Sequence, residues 1–376
     1  MRYKIAELLN KSVVKIVLAI VLGFLVGAIA LIFAGYDPIA SYSMMITSIF
    51  SSPQNMVQVL ILTMPNILTG LSVAFAFKTG LFNIGGEGQY LVGCMAAVIV
   101  GGELKLPPVI NIIVIMLVAI LAGGLYGALA GFLKAKFGIH EVITTIMLNW
   151  IALYFNNYLI SVPGIGVKNT QYSIAIKQNA WTNILNNWKT SSSGKAYLAS
   201  HHTLATILLG TDINYGLIIA IVAAIFIWFL LYKTTFGYQV RAVGLNKEAA
   251  EFAGIGVNKN IIMTMFVAGG LAGLAGALQM AGSAPHALST LATEPGYGFN
   301  GITVALMANS APIGCIFTAF LLSGLQFGGS TMQMNLGTPS EVVNIMIGVI
   351  VFFVAVASMF TMLSEKIKKR RVKNAD

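Results

Sequence analysis

Apolar runs of membrane-spanning length recur along almost the whole of this chain. A helix needs about 20 mostly apolar residues to cross the hydrocarbon core of a bilayer. Windows of that kind lie near 14–34, 56–77, 83–101, 109–133, 142–160, 214–232, 260–282, 297–309, 312–328 and 341–363. They predict an all-α polytopic membrane protein with about ten transmembrane helices. Composition agrees: 57% of residues are hydrophobic and 9% charged, against about 25% charged in a soluble domain. One membrane domain over 1–376 is expected, not two or three soluble ones. Basic residues precede the first run, as in a signal peptide. The run from Ile16 to Phe33 exceeds the usual core of about 7–15 residues, so it reads as a retained span.

The net charge of +10 is explained by where it lies. Lys and Arg gather in the N-terminal tail, at Lys134 and Lys136, between Lys233 and Lys259, and from Lys366 to Lys373. With both termini cytoplasmic, only Lys105, Lys168, Lys177, Lys189 and Lys195 face outward. This is the positive-inside pattern. No stacking aromatics accompany the basic residues, so nucleic acid is not an expected partner. Cys94 and Cys315 sit in apolar runs as packing residues, and no metal-ligand spacing is present.

Two stretches are not ordinary spans. Residues 161–213 form a polar insertion with Trp181 and Trp188, expected outside the membrane; a solvated loop is the simpler reading and a small cap the alternative. Residues 297–309 are too short to cross and fit a half-helix turning back near Asn309-Ser310-Ala311-Pro312. Irregular backbone at that depth must be shielded by protein or line a wet cavity. Gly123, Gly127 and Gly131, and Gly269 and Gly273, recur every four residues, with Ala272 and Gly276 in parallel. That spacing lets helix backbones approach closely in lipid. Phe82-Asn83-Ile84-Gly85 is echoed by Phe299-Asn300-Gly301, as an inverted repeat around a midplane pathway would produce.

Catalytic and nucleotide motifs are missing. Gly194-Lys195 lacks the rest of a phosphate-cradling loop, so ATP is not expected on this chain. Gly296-Tyr297-Gly298-Phe299-Asn300-Gly301 has dinucleotide-fingerprint spacing but no preceding strand. His140-Glu141 lacks the second His of a zinc-protease helix. Polar groups inside spans are the remaining candidates. Asn83, Glu87 and Gln89 could line the inner mouth of a pathway; the alternative for Glu87 is to bond backbone donors freed by the glycines or to favour the positive end of the helix starting there. Asn149, Asn156 and Asn157 either line a path for a hydroxylated solute or join helices by hydrogen bonds. Asn300 joins the pathway candidates through the echo.

The loop 233–260 is the most specific segment. Asn246 suits an N-cap, Glu248 and Glu251 the first turns of a short helix, and Gly254 or Gly256 its end. Such a helix is either a knob for a soluble partner or an ordinary interfacial helix.

At this loop the chain resembles the permease subunits of bacterial ATP-binding-cassette importers. Arg241-Ala242-Val243-Gly244, then Asn246, Ala249-Ala250 and Gly254-Ile255, is similar to the branch serving ribose, branched-chain amino acids and nucleosides. Thr79-Gly80-Leu81-Phe82-Asn83-Ile84-Gly85-Gly86-Glu87-Gly88-Gln89 and His140-Glu141-Val142-Ile143 resemble the longer of two paired nucleoside permeases. Gly86 departs from that group, which often has a larger residue there. The resemblance spans roughly residues 56–363. It implies a second permease, an ATPase on the cytoplasmic loops, and a lipid-anchored binding protein outside, in the bacterial cytoplasmic membrane. It implies coupling to the ATPase through Arg241, Asn246, Glu248, Ala249, Ala250 and Gly254. An ion-gradient carrier and a permease for a sugar or other hydroxylated solute remain the rival readings.

Overall fold

Each apolar run centres on a helix in the computed structural model, which describes residues 12–356. The basic tails and the end of the span expected at 341–363 lie outside the described residues. In chain order the helices are α1 Ser12–Phe33, α2 Pro38–Phe50, α3 Pro53–Lys78, α4 Gly86–Glu103, α5 Pro108–Phe137 and α6 Glu141–Ser161. Short helices α7 Asn186–Thr190, α8 Ser192–Ser200 and α9 His202–Gly210 follow. Then come α10 Gly216–Lys233, α11 Thr235–Leu245, α12 Lys247–Phe252, α13 Val257–Gly282, α14 Tyr297–Met307, α15 Pro312–Leu336 and α16 Ser340–Ala355. Among the described residues, α3, α5, α10, α13 and α15 are long and apolar enough to cross a membrane.

Two boundaries differ from expectation. α2 was hidden because Ser41, Ser43, Thr47 and Ser48 interrupt its apolar run; Asp37 caps it by accepting the Ile39 N–H. α15 continues to Leu336, well past the expected end at 328, through a stretch whose Ser330 and Thr331 return their hydroxyls to the carbonyls of Gln326 and Phe327. Such backbone-satisfied hydroxyls let polar residues stay helical.

The chain divides into two compact units, Pro53–Ser323 and the terminal segments through Ser52 and from Gly324. In the first, α3 and α13 are mostly buried, whereas α5 and α10 turn much of their surface outward. Ile110, Ile113, Leu117, Leu121 and Leu125 make an exposed aliphatic stripe along α5. The opposite face of α5 carries the predicted glycines, which meet those of α13. A Cβ on Gly123 would stand 2.9 Å from the Gly273 Cα, and one on Gly127 3.1 Å from the Gly269 Cα. Backbone meets backbone there, as small-residue spacing anticipates. In the second unit α1 lies against α16, where a Cβ on Gly23 would reach the Ile350 Cα at 2.8 Å.

The insertion 161–213 is an ordered cap rather than a plain solvated loop. Ser173 N–H donates to the Leu288 carbonyl at 3.0 Å and Ile176 N–H to that of His286 at 2.8 Å. Trp181 stacks on His286 with ring centroids 4.0 Å apart, and Thr182 N–H donates to Ala281. These backbone pairings are long-range, so a local reading of polar composition does not see them.

Candidate functional site

Two helix starts meet in the first unit. The chain leaves α3 through Gly80, whose φ of +72° suits glycine, and begins α4 at Gly86. Asn83 Oδ1 accepts the Gly85 N–H at 3.1 Å and Asn149 Oδ1, from α6, accepts the Gly88 N–H at 2.8 Å. Asn149 Nδ2 also donates to the Ile84 carbonyl at 3.1 Å. The donors at the start of α4 thus find side-chain acceptors, as a buried helix end requires. Asn83 and Gln89 pair their amides reciprocally, at 2.8 and 3.2 Å.

Glu87 serves the other helix start. Its carboxylate accepts the N–H of Gly296 at 2.7 Å, of Gly298 at 2.6 Å and, more weakly, of Phe299 at 3.4 Å. These are the free donors that begin α14, so the acidic side chain sits on the positive end of that helix's dipole. Gly298 permits this contact, because a Cβ there would collide with the backbone of Glu87. Tyr90 and Tyr297 pack their rings alongside, centroids 5.1 Å apart. The two echoed segments found in the sequence therefore begin helices that abut each other.

Asn83, Glu87, Gln89 and Asn149 are buried, and none of their side chains faces open space. Asn149 joins α6 to the start of α4, Glu87 holds backbone donors at the start of α14, and Asn83 and Gln89 hold each other. Asn300 differs: it is half-buried on α14, its backbone N–H donates to the Gly296 carbonyl, and its side-chain amide makes no hydrogen bond among the described residues. Asn156 and Asn157 reach the carbonyls of Ser289 and Leu291, at 3.0 and 2.8 Å, tying α6 to the loop ahead of α14. Gly86 has room for a Cβ, which would lie in ordinary contact 3.6 Å from the Gly298 Cα.

The segment 233–260 is helical almost throughout, not a loop with one helix. Thr234 caps α11 by accepting the Gly237 N–H, and Gly244 of α11 lies against the Lys78 carbonyl at the end of α3. Asn246 then caps α12, accepting the Ala249 N–H at 2.8 Å. Gly254 ends it with φ +81°, while Ile255 N–H returns to the Ala250 carbonyl. Asn246 and Gly254 thus shape the hairpin, and Ala250 is buried beneath it. Arg241 lies over the Tyr232 ring, 5.2 Å from its centroid. Glu248 and Ala249 are exposed. Leu245 and Phe252, the last residues of α11 and α12, carry no sequence expectation and are 89% and 96% exposed. Their signal was an apolar residue beside each helix boundary of a polar segment.

A third polar link closes the base of α5 and α6. Lys134 pairs with Glu141, whose other oxygen accepts the Phe82 N–H at 3.3 Å. Among the described residues no group of His, Cys, Asp and Glu is arranged to hold a metal.

Comparison with known proteins gives these features a family. Residues 55–355 match the family described as branched-chain amino acid transport system / permease component. The chain is 38% identical to the guanosine ABC transporter permease protein NupP of Bacillus subtilis, covering 94% of this chain and 96% of that one. It is 36% identical to the nucleoside ABC transporter permease protein NupB of Lactococcus lactis, covering 97% of each. It is 29% identical to the glucose ABC transporter permease protein TsgB13 of Haloferax volcanii, covering 92% and 87%. No solved structure matches it. The family match over most of the chain, with relatives above 30% identity over nearly all of it, makes this protein a member of the branched-chain amino acid transport system / permease component family, a multi-pass membrane permease subunit rather than an enzyme.

Proposed function

We propose that this chain forms the translocation pathway of an ATP-driven nucleoside importer, together with a second, related permease. The similarity that carries the reading is with NupP and NupB, named for guanosine and nucleoside transport and matched over nearly their full lengths. A sugar importer is the second reading, favoured by the more distant likeness to TsgB13. ATP is hydrolysed on a separate cassette ATPase, and a lipid-anchored binding protein delivers the solute.

Orientation follows from charge: the hairpin 233–260 lies in the cytoplasm with both termini, and the cap 161–213 outside. The hairpin docks on the ATPase. Arg241, Asn246, Ala250 and Gly254 give it its shape; Glu248 and Ala249 lie on its outer surface. The two echoed helix starts belong to an inverted repeat, with Asn83, Glu87, Gln89 and Asn149 holding them beside the path and Asn300 facing it. Their abutment suits the discontinuous helices that transporters place at the midplane.

Uptake of labelled uridine, guanosine and glucose in cells with and without this gene tests the reading, repeated with ATP depleted and the proton gradient held. Gene-dependent, ATP-dependent nucleoside uptake is expected. Glucose uptake alone would move the assignment to a sugar importer, and uptake surviving ATP depletion would favour an ion-gradient carrier.

A further inference from the structure

α5, α10 and α13 do not close on one another along their whole length. Between them lies a groove of about 370 Å³, lined by Ile120 of α5, Ala223 and Leu230 of α10, and Phe266 and Leu274 of α13. Phe236, on the first turn of α11, lines it as well. Small residues explain the gap. Gly270 brings α13 onto α5, since a Cβ there would stand 3.1 Å from the Ile120 Cγ2. α10 packs on α3 instead, and its Ala223 leaves the space toward α13 unfilled.

The depth of the groove says what kind of group fills it. α5, α10 and α13 are each long and apolar enough to cross a membrane, and the lining residues lie in their interiors. From Ala223 to Leu230 the groove follows α10 for about 10 Å at 1.5 Å per residue. Water needs polar partners that such a wall does not offer. The occupant at this depth is a hydrocarbon chain.

One end of the groove adds charge. On α10, Lys233 follows Leu230 by one helical step of three residues. On α13, Lys259, Met263 and Phe266 recur at steps of four and three, so Lys259 continues the lining stripe. α10 ends and α13 begins on either side of the hairpin 233–260, so both lysines stand at the same end. Both are exposed, and among the described residues neither pairs with a carboxylate. Glu251 borders a recess with Lys259 but is not paired with it. The Lys233 Nζ lies over the Trp228 ring, 5.8 Å from its centroid. Trp beside Lys at the end of a span marks headgroup level.

An apolar groove that ends in two unpaired cations matches an apolar tail joined to an anionic head. We propose that the groove binds one anionic phospholipid, its acyl chain between α5, α10 and α13 and its phosphate met by Lys233 and Lys259. Basic residues between spanning helices at headgroup level select such lipids by charge. The groove selects the tail by apolar burial alone and sets no chain chemistry.

The test titrates the delipidated permease, purified in detergent with its copurifying subunits, with phosphatidylglycerol and separately with phosphatidylethanolamine. Native mass spectrometry counts the bound lipid. The parent should bind one phosphatidylglycerol per copy about tenfold more tightly than phosphatidylethanolamine, the scale of two lysines near a charged headgroup. The double variant Lys233→Gln/Lys259→Gln should bind both lipids alike. Ala223→Phe, which fills the groove, should lose the tight site. A parent without a tight phosphatidylglycerol site would overturn the proposal, and so would a preference that survives in the double variant. Loss of another permease subunit from the Ala223→Phe complex would also overturn it, since the groove would then seat protein. The double variant changes only exposed residues, so it decides the matter even where Ala223→Phe does not accumulate.

Discussion

The Glu87 carboxylate, on the first turn of α4, accepts the Gly298 N–H on the first turn of α14 at 2.6 Å. One fully buried side chain thereby closes a helix start more than two hundred positions away in the chain. Removing the acceptor would strand the Gly296 and Gly298 donors. Glu87→Ala is expected to destabilise the protein by on the order of 3 kcal/mol, the penalty for leaving buried donors unpaired. Glu87→Gln keeps one acceptor oxygen and should lose clearly less. Thermal unfolding of the detergent-purified variants measures the difference; an Ala variant as stable as the parent would refute the clamp.

Glycine contacts separate essential seams from open positions. Gly123→Val would drive a side chain into the Gly273 backbone of α13 and is expected to abolish accumulation of folded protein. Gly348→Ala meets nothing within 4 Å. It should be neutral or slightly stabilising, since Ala suits a helix interior better than Gly. Gly86→Ala should also be tolerated, with its new methyl in ordinary contact with Gly298. Membrane levels of the three variants, measured by size-exclusion profile in detergent, check this ordering.

Leu245 and Phe252 present apolar side chains from the hairpin to solvent, a poor arrangement unless a partner covers them. Phe252→Ser is expected to weaken ATPase association about tenfold while the protein still reaches the membrane. Glu248→Lys should leave assembly intact and uncouple ATP hydrolysis from uptake. Co-purification with the ATPase and uptake in the same cells distinguish the two effects; unchanged association of the Phe252 variant would remove it from the interface.

His286 gives the cap a pH dependence. Burial pushes its imidazole below the ordinary 6.5, against the raising influence of the Met280 carbonyl and Asp212 and together with Lys189. The folded state then holds the neutral ring more strongly than the unfolded chain does. Its contribution to stability is complete above pH 6.5 and is lost progressively as pH falls through that value toward the lower folded pKa. Fluorescence of Trp181, stacked on His286, should change over that acidic range in the parent. A His286→Gln variant should show no such transition, and an identical transition in it would exclude the histidine.

Much of the architecture was readable in the chain itself. Apolar runs of bilayer length determine the helices because lipid leaves the backbone no other way to satisfy its polar groups. Gly123, Gly127, Gly269 and Gly273 marked a close seam because only small residues allow it. Asn246 and Gly254 delimited a short helix through local capping, and the brevity of 297–309 marked a half-helix. The tertiary structure alone decided what the buried polar residues do. Glu87, Asn83 and Asn149 are acceptors in search of donors, and no spacing rule says which distant N–H groups will face them. It also decided that 161–213 packs as a cap and that α6 turns its aromatic residues outward. An aromatic side chain fits a core and an exposed face equally well in sequence; only burial in the fold tells them apart.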